Sequence, residues 1–145
     1  MMTVQSAGII IMLAVGSVWD IRDRQIPVKL LIIDVIAGVI LTVMNRKINW
    51  SDEWYLYVVG ILIGIGILLA GYFCNGCIGT ADGIMLAVIG GVAGYQETLL
   101  LLMNAVMAAG VCSIILIVLK RGNRKTAIPF FPFMLLGYLF LIIEK

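Results

Sequence analysis

The sequence predicts an all-α, polytopic integral membrane protein of about six transmembrane helices, the fourth of them short or broken. Of 145 residues, 63% are hydrophobic and 12% charged, more apolar side chain than one soluble core of this length encloses. The apolar residues fall in long runs divided by short polar breaks, the pattern of repeated membrane crossings. The charged residues gather in those breaks, except that Asp20 and Asp82 stand at run edges and Asp34 stands inside a run.

The first run extends from about Val4 to Trp19. No basic segment precedes it, and it leads into Asp20 rather than a small-residue cleavage site, so it reads as a retained helix and not a signal peptide. The second run, about Val28 to Met44, follows Ile26-Pro27, and the third runs from about Trp54 to Phe73. The fourth, about Gly83 to Gly94, is short enough to be a half-helix buried among its neighbours, which is tolerated where it lines a wet cavity. The fifth runs from about Thr98 to Leu119 and the sixth from about Ile128 to Ile143. Several fall short of the roughly 20 residues a perpendicular span needs, so flanking polar residues extend them or the bilayer thins locally. Nothing marks a second domain, and residues 1–145 are expected to form one membrane-embedded unit.

Small residues recur four apart: Gly60 and Gly64 with Gly66 nearby, Gly90 and Gly94, Ala105 and Ala109. This spacing allows close helix approach in lipid, although apolar helices are also simply rich in such residues. Cys74 and Cys77 form a CxxC, but there is no His and no second CxxC, so a zinc site lacks ligands. Cys112 reads as packing. A net charge of +2 without a basic tract gives no footing for nucleic acid.

Loop charge gives an orientation. With six spans, the loops after the first and fifth carry Arg22, Arg24, Lys29 and Lys120, Arg121, Arg124, Lys125; the other side carries only Arg46, Lys47 and Lys145. The positive-inside rule then puts the odd loops in the cytoplasm and both termini outside, with Trp50, Trp54, Tyr55 and Tyr57 in an outer aromatic belt. Asp20 ends the first span and Asp82 enters the fourth, so both carboxylates fall at the cytoplasmic face.

Two carboxylates held close cannot both ionise easily and tend to share one proton. The ionised member takes a proton from water while the protonated member donates to the scissile carbonyl, which is aspartic-protease chemistry and needs no metal or cofactor. The residues for a Ser–His triad or a phosphate-binding loop are missing. Each aspartate also has a structural reading: Asp20 as an interfacial charge paired with Arg22 or Arg24, Asp82 as a helix N-cap. Asp34 lies too deep to reach water freely and is expected to have a polar partner, in a structural or substrate-facing role. Asp23 is expected in the solvated loop.

Three segments carry a resemblance. Asp20-Ile21-Arg22-Asp23-Arg24-Gln25-Ile26-Pro27 is an aspartate followed by a basic stretch and Ile-Pro; Gly79-Thr80-Ala81-Asp82-Gly83 is close to GxGD; Ile128-Pro129-Phe130-Phe131-Pro132-Phe133 is close to Ile-Pro-Phe-x-Pro-Phe. In this order and spacing, over nearly the whole chain, they resemble the type IV prepilin peptidases, membrane aspartyl proteases of the GxGD group. The resemblance implies catalysis by Asp20 and Asp82, supported by Gly79, Ala81, Gly83, Pro27, Pro129 and Pro132, with Asp34 a possible polar support. It implies a prepilin or pilin-like precursor as protein partner, beside membrane lipid, cut between a basic leader and a hydrophobic helix at the cytoplasmic face. Ala81 departs from the second Gly of the motif, Ile84 stands where Lys is frequent, Val28 where Asn is common, and Phe131 where Gly is frequent. The compact, peptidase-only branch is the better match, so no N-methylation is expected. Two competing readings are an ion- or proton-coupled carrier centred on Asp34 and a catalytically inactive scaffold for pilus assembly.

Overall fold

A computed structural model describes residues 4–23, 26–44, 53–74, 79–119 and 129–144. These form six helices and no strand among the described residues: α1 Val4–Asp23, α2 Val28–Met44, α3 Trp54–Phe73, α4 Thr80–Ala93, α5 Tyr95–Val118 and α6 Phe131–Glu144. By length and hydropathy α1, α3 and α5 are sufficient to cross a membrane. At 14 residues, α4 spans only about 21 Å, against a hydrocarbon core of about 30 Å. It is continuous, so the fourth helix is short but not broken.

Several boundaries differ from expectation, each for a local reason. α1 runs one turn past Trp19 to Asp23, because nothing breaks it before Pro27, which disfavours helix at the residue preceding it. Asp20 is therefore inside a helix, and Asp23 is its exposed last residue rather than part of a loop. α4 starts at Thr80, three residues early. Gly94 is not a packing glycine but the hinge between α4 and α5, with φ +84°, a left-handed value that favours glycine. Beyond it the polar Tyr95-Gln96-Glu97 is helical, so α5 starts before Thr98. α6 begins at Phe131 and not Ile128; Phe130 accepts its first backbone bonds, from Phe133 and Met134, and Pro132 sits in the first turn, where a missing N–H is not felt. Ile128, Cys77, Trp50 and the basic residues 120, 121, 124 and 125 lie outside the described residues, as do Arg24, Arg46, Lys47 and Lys145.

α3 and α4 are the most closely packed pair. Gly60 faces Gly90, Gly64 faces Ala87, and Leu68 faces Gly83, with backbone against backbone. This antiparallel register uses Gly60, Gly64 and Gly90 as their spacing suggested, whereas Gly66 faces open space. On the other side, Gly38 of α2 meets Val88, and the Thr42 hydroxyl donates to the Gly91 carbonyl at 3.1 Å, which sets α2 parallel to α4. Gly137 of α6 packs on the backbone of Leu101 and Ala105 in α5. α4 thus lies at the centre, with Met85, Leu86, Ile89 and Val92 buried against α1, α5 and α6. α2 and α3 both pack on α4 but not extensively on each other.

Candidate active site

The register of α2, α3 and α4 collects the start of α2, the end of α3 and the start of α4 at one end of the bundle. The C-terminal part of α1 and the start of α6 join them there, because the Phe131 backbone N–H donates to Asp20 Oδ2 at 3.1 Å. That N–H is one of the unpaired donors at a helix start, so a carboxylate from α1 caps α6. The Phe131 ring is fully buried, and a Cβ on Gly16 would lie 2.4 Å from it. Gly16 and Asp20 are one turn apart on one face of α1. The ring and the N–H of a single residue therefore fix the α1 segment that carries Asp20. Sequence reasoning named Pro129 and Pro132 in this motif; both are half-buried flanks of that start, and the contact with Asp20 belongs to Phe131. Of the two structural partners expected for Asp20, Arg22 instead lies 4.0 Å from Asp23 at the exposed helix end, and Arg24 lies outside the described residues.

Asp82 is buried, at 9% exposure. It is not the N-cap of α4. Gly79 occupies that place, and Asp82 is the third helical residue, with its backbone N–H on the Gly79 carbonyl at 3.1 Å. Its carboxylate turns back to the Gly79 backbone, as the third residue of a capping box does. A Cβ on Gly79 would lie 2.7 Å from Asp82 Oδ2, so a side chain there would press on the carboxylate. Gly83 is pinned against the backbone of Leu68 in α3. The tight positions are thus Gly79 and Gly83. Ala81 between them is half-buried against the core, so the departure from GxGD falls where a methyl group is accommodated.

The carboxylates of Asp20 and Asp82 lie within direct electrostatic reach of each other. Each is anchored by a backbone group at the start of a different helix, and the exposed Gly79 and Thr80 open the place to solvent. Pro27, exposed, starts α2 at the same end by accepting the Leu30 N–H at 2.9 Å. Asp34 lies one turn before Gly38, level with Ile84 and about 3 Å deeper than Asp82 along the bundle. It is 5% exposed, and its Oδ2 has no hydrogen-bond partner. Among the described residues, the expected polar partner is not found for Oδ2. Among the described residues no group of three or more His, Cys, Asp or Glu could hold a metal ion. Cys74 is exposed and Cys112 half-buried.

Fold and site define an all-helical membrane protein with a carboxylate pair at one end of its bundle. A family model described as the type IV leader peptidase family matches residues 7–114. The chain belongs to that family and is a peptidase of the prepilin-processing class. No curated protein and no solved structure matches it. The matched span includes Asp20, Gly79 and Asp82 but ends before α6, whose first residue nevertheless holds Asp20.

Proposed function

We propose that the chain removes the basic leader of type IV prepilin-like precursors by aspartic catalysis, with Asp20 and Asp82 as the pair, at the cytoplasmic membrane face. The observation that carries this reading is the juxtaposition of the two carboxylates, each oriented by its own backbone contact. In the reaction the ionised carboxylate takes a proton from water, the oxygen attacks the scissile carbonyl carbon, and the protonated carboxyl donates to the carbonyl oxygen. Collapse of the tetrahedral species breaks the C–N bond as a proton passes to the departing amine. The substrate backbone has to be extended at the cut, because an amide inside a helix is shielded by its own hydrogen bonds. The exposed start of α4 at Gly79 and Thr80 supports such an approach.

Co-expression with a prepilin tests the assignment. Asp20→Asn and Asp82→Asn each abolish cleavage while the protein still inserts; full cleavage by either variant removes that residue from the mechanism. A proton-coupled carrier is favoured by one observation, the unpartnered buried Asp34, and predicts that Asp34→Asn is the damaging change and Asp20→Asn is harmless.

A further inference from the structure

The two carboxylates of the candidate site are oriented by different means. Asp82 is held from within its own helix start, by the backbone of Gly79 three residues before it. Asp20 has no such local donor. It lies in the last turn of α1, where the helical N–H groups already bond carbonyls four residues back and the unpaired backbone groups are carbonyls, which repel a carboxylate. Its donor has to come from another element, and it is the Phe131 N–H, 3.1 Å from Oδ2. That donor is itself fixed. The Phe131 ring is fully buried, seated where a Cβ on Gly16 would overlap its Cδ1 and Cε1. One turn on, Met134 shares a core with Met12 and Leu13 of α1; two turns on, Gly137 packs on the backbone of α5.

We propose that Phe131 is the positioning residue of Asp20 and sets the turnover of the peptidase through two separable devices, an inference that rests on the peptidase reading above. The first device is the N–H. An N–H bond to a carboxylate is charge-assisted and directional, so it fixes the rotation of the carboxylate about its side-chain bonds. With Oδ2 tied, Oδ1 is the oxygen that exchanges a proton in the reaction. The second device is the ring. Seated against Gly16, one turn before Asp20 on the same face of α1, it fixes the height and rotation of the helix that carries the carboxylate. The residues from Phe131 through Met134 hold no acid or base, so this end of α6 supplies geometry rather than a reacting group. Geometry set before substrate arrives needs no reorganisation during the reaction, which is where a fixed donor gains rate.

Two variants share the loss of the ring and differ in the donor: Phe131→Ala keeps the N–H and Phe131→Pro lacks it. Proline is favoured at the first position of a helix, which Phe131 occupies, so α6 starts in both. The assay uses the full chain in detergent and a prepilin with its leader and hydrophobic helix. The kcat of Phe131→Pro falls about tenfold below that of Phe131→Ala, while KM and thermal midpoint agree between the two. Phe131→Leu, which keeps the donor and refills most of the notch, has a kcat above that of Phe131→Ala. Equal kcat in the alanine and proline variants overturns the positioning role. A midpoint that falls together with kcat overturns it too, since the donor then only holds the fold. A leucine variant no faster than alanine removes the ring's part. Where the alanine and proline variants do not accumulate, amide exchange in phenylalanine-labelled protein decides. The Phe131 amide exchanges about tenfold faster in Asp20→Ala than in wild type, and the Phe133 amide, bonded to the Phe130 carbonyl, is unchanged; equal Phe131 rates overturn the proposal. Wild-type protein that leaves the prepilin uncut, or Asp20→Asn that cuts it fully, fails the peptidase reading itself and the positioning role with it.

Discussion

Replacing Gly64 with alanine sets two effects of opposite sign against each other. Alanine is the better helix former by about 1 kcal/mol, which favours the variant. The new Cβ, however, would lie 2.1 Å from the Ala87 nitrogen and 2.4 Å from its Cα, where non-bonded heavy atoms prefer about 3.5–4.0 Å. The obstacle is backbone, which cannot rotate away, so α3 and α4 have to separate by about 1 Å or more. Overpacking of this kind costs about 1–3 kcal/mol, and repulsion from two backbone atoms puts it at the upper end. The net effect is a loss of about 1–2 kcal/mol. Ala87 is five residues beyond Asp82 on the same helix, so the carboxylate shifts with it. A displacement of about 1 Å at a reacting group can cost about a hundredfold in rate. Gly66→Ala is the internal control: it stands on the same helix, and its Cβ meets nothing within 4 Å, so propensity acts alone. The measurements are thermal midpoint in detergent and prepilin cleavage for both variants. Gly64→Ala lowers both relative to wild type, while Gly66→Ala lowers neither. If the two variants behave alike, the contact between α3 and α4 is not what holds Asp82, and the argument fails.

Gly79→Ala brings a methyl to within 2.7 Å of Asp82 Oδ2 at an exposed residue with ordinary backbone angles; cleavage falls at least about tenfold while the thermal midpoint stays near wild type. Asp34→Leu removes a buried carboxylate oxygen without a partner, worth about 1–3 kcal/mol, so the midpoint in detergent rises and prepilin cleavage persists; loss of cleavage would move Asp34 into the mechanism. Thr42→Val deletes the hydroxyl bridge from α2 to the Gly91 carbonyl and lowers stability by about 0.6 kcal/mol, a difference measurable as a small drop in midpoint with activity retained.

What the sequence made legible follows from where physics is local. A long apolar run is a helix in lipid whatever its neighbours do, so six helices were readable and their centres fell where expected. Asp20 and Asp82 were readable because a carboxylate beside apolar residues is conspicuous, and Gly60, Gly64 and Gly90 because helical spacing puts small residues on one face. The ends were less readable, since hydropathy drops Asp20 through Asp23 and Tyr95 through Glu97, polar residues whose backbone is nonetheless helical. Gly94 looked like a packing glycine because spacing alone does not distinguish a helix face from a hinge. The Asp20–Phe131 contact was out of reach: it joins residues 111 apart, and its donor is a backbone N–H that any non-proline residue supplies. What a pattern reader could have noticed is Gly16 one turn before Asp20, a gap on the face that carries the carboxylate.

The cap that Phe131 provides has a consequence for how the protein comes into being. A chain is made from its N-terminus, so Asp20 and Asp82 enter the membrane early, while the group that orients Asp20 is delivered only with the sixth helix. Until then the first carboxylate has no backbone donor from α6, and Gly16 faces an unfilled notch. If Asp20 is catalytic as proposed, nascent chains that have inserted four or five helices would thus be inert towards precursors synthesised beside them, and proteolytic competence would arrive in one step with the insertion of α6.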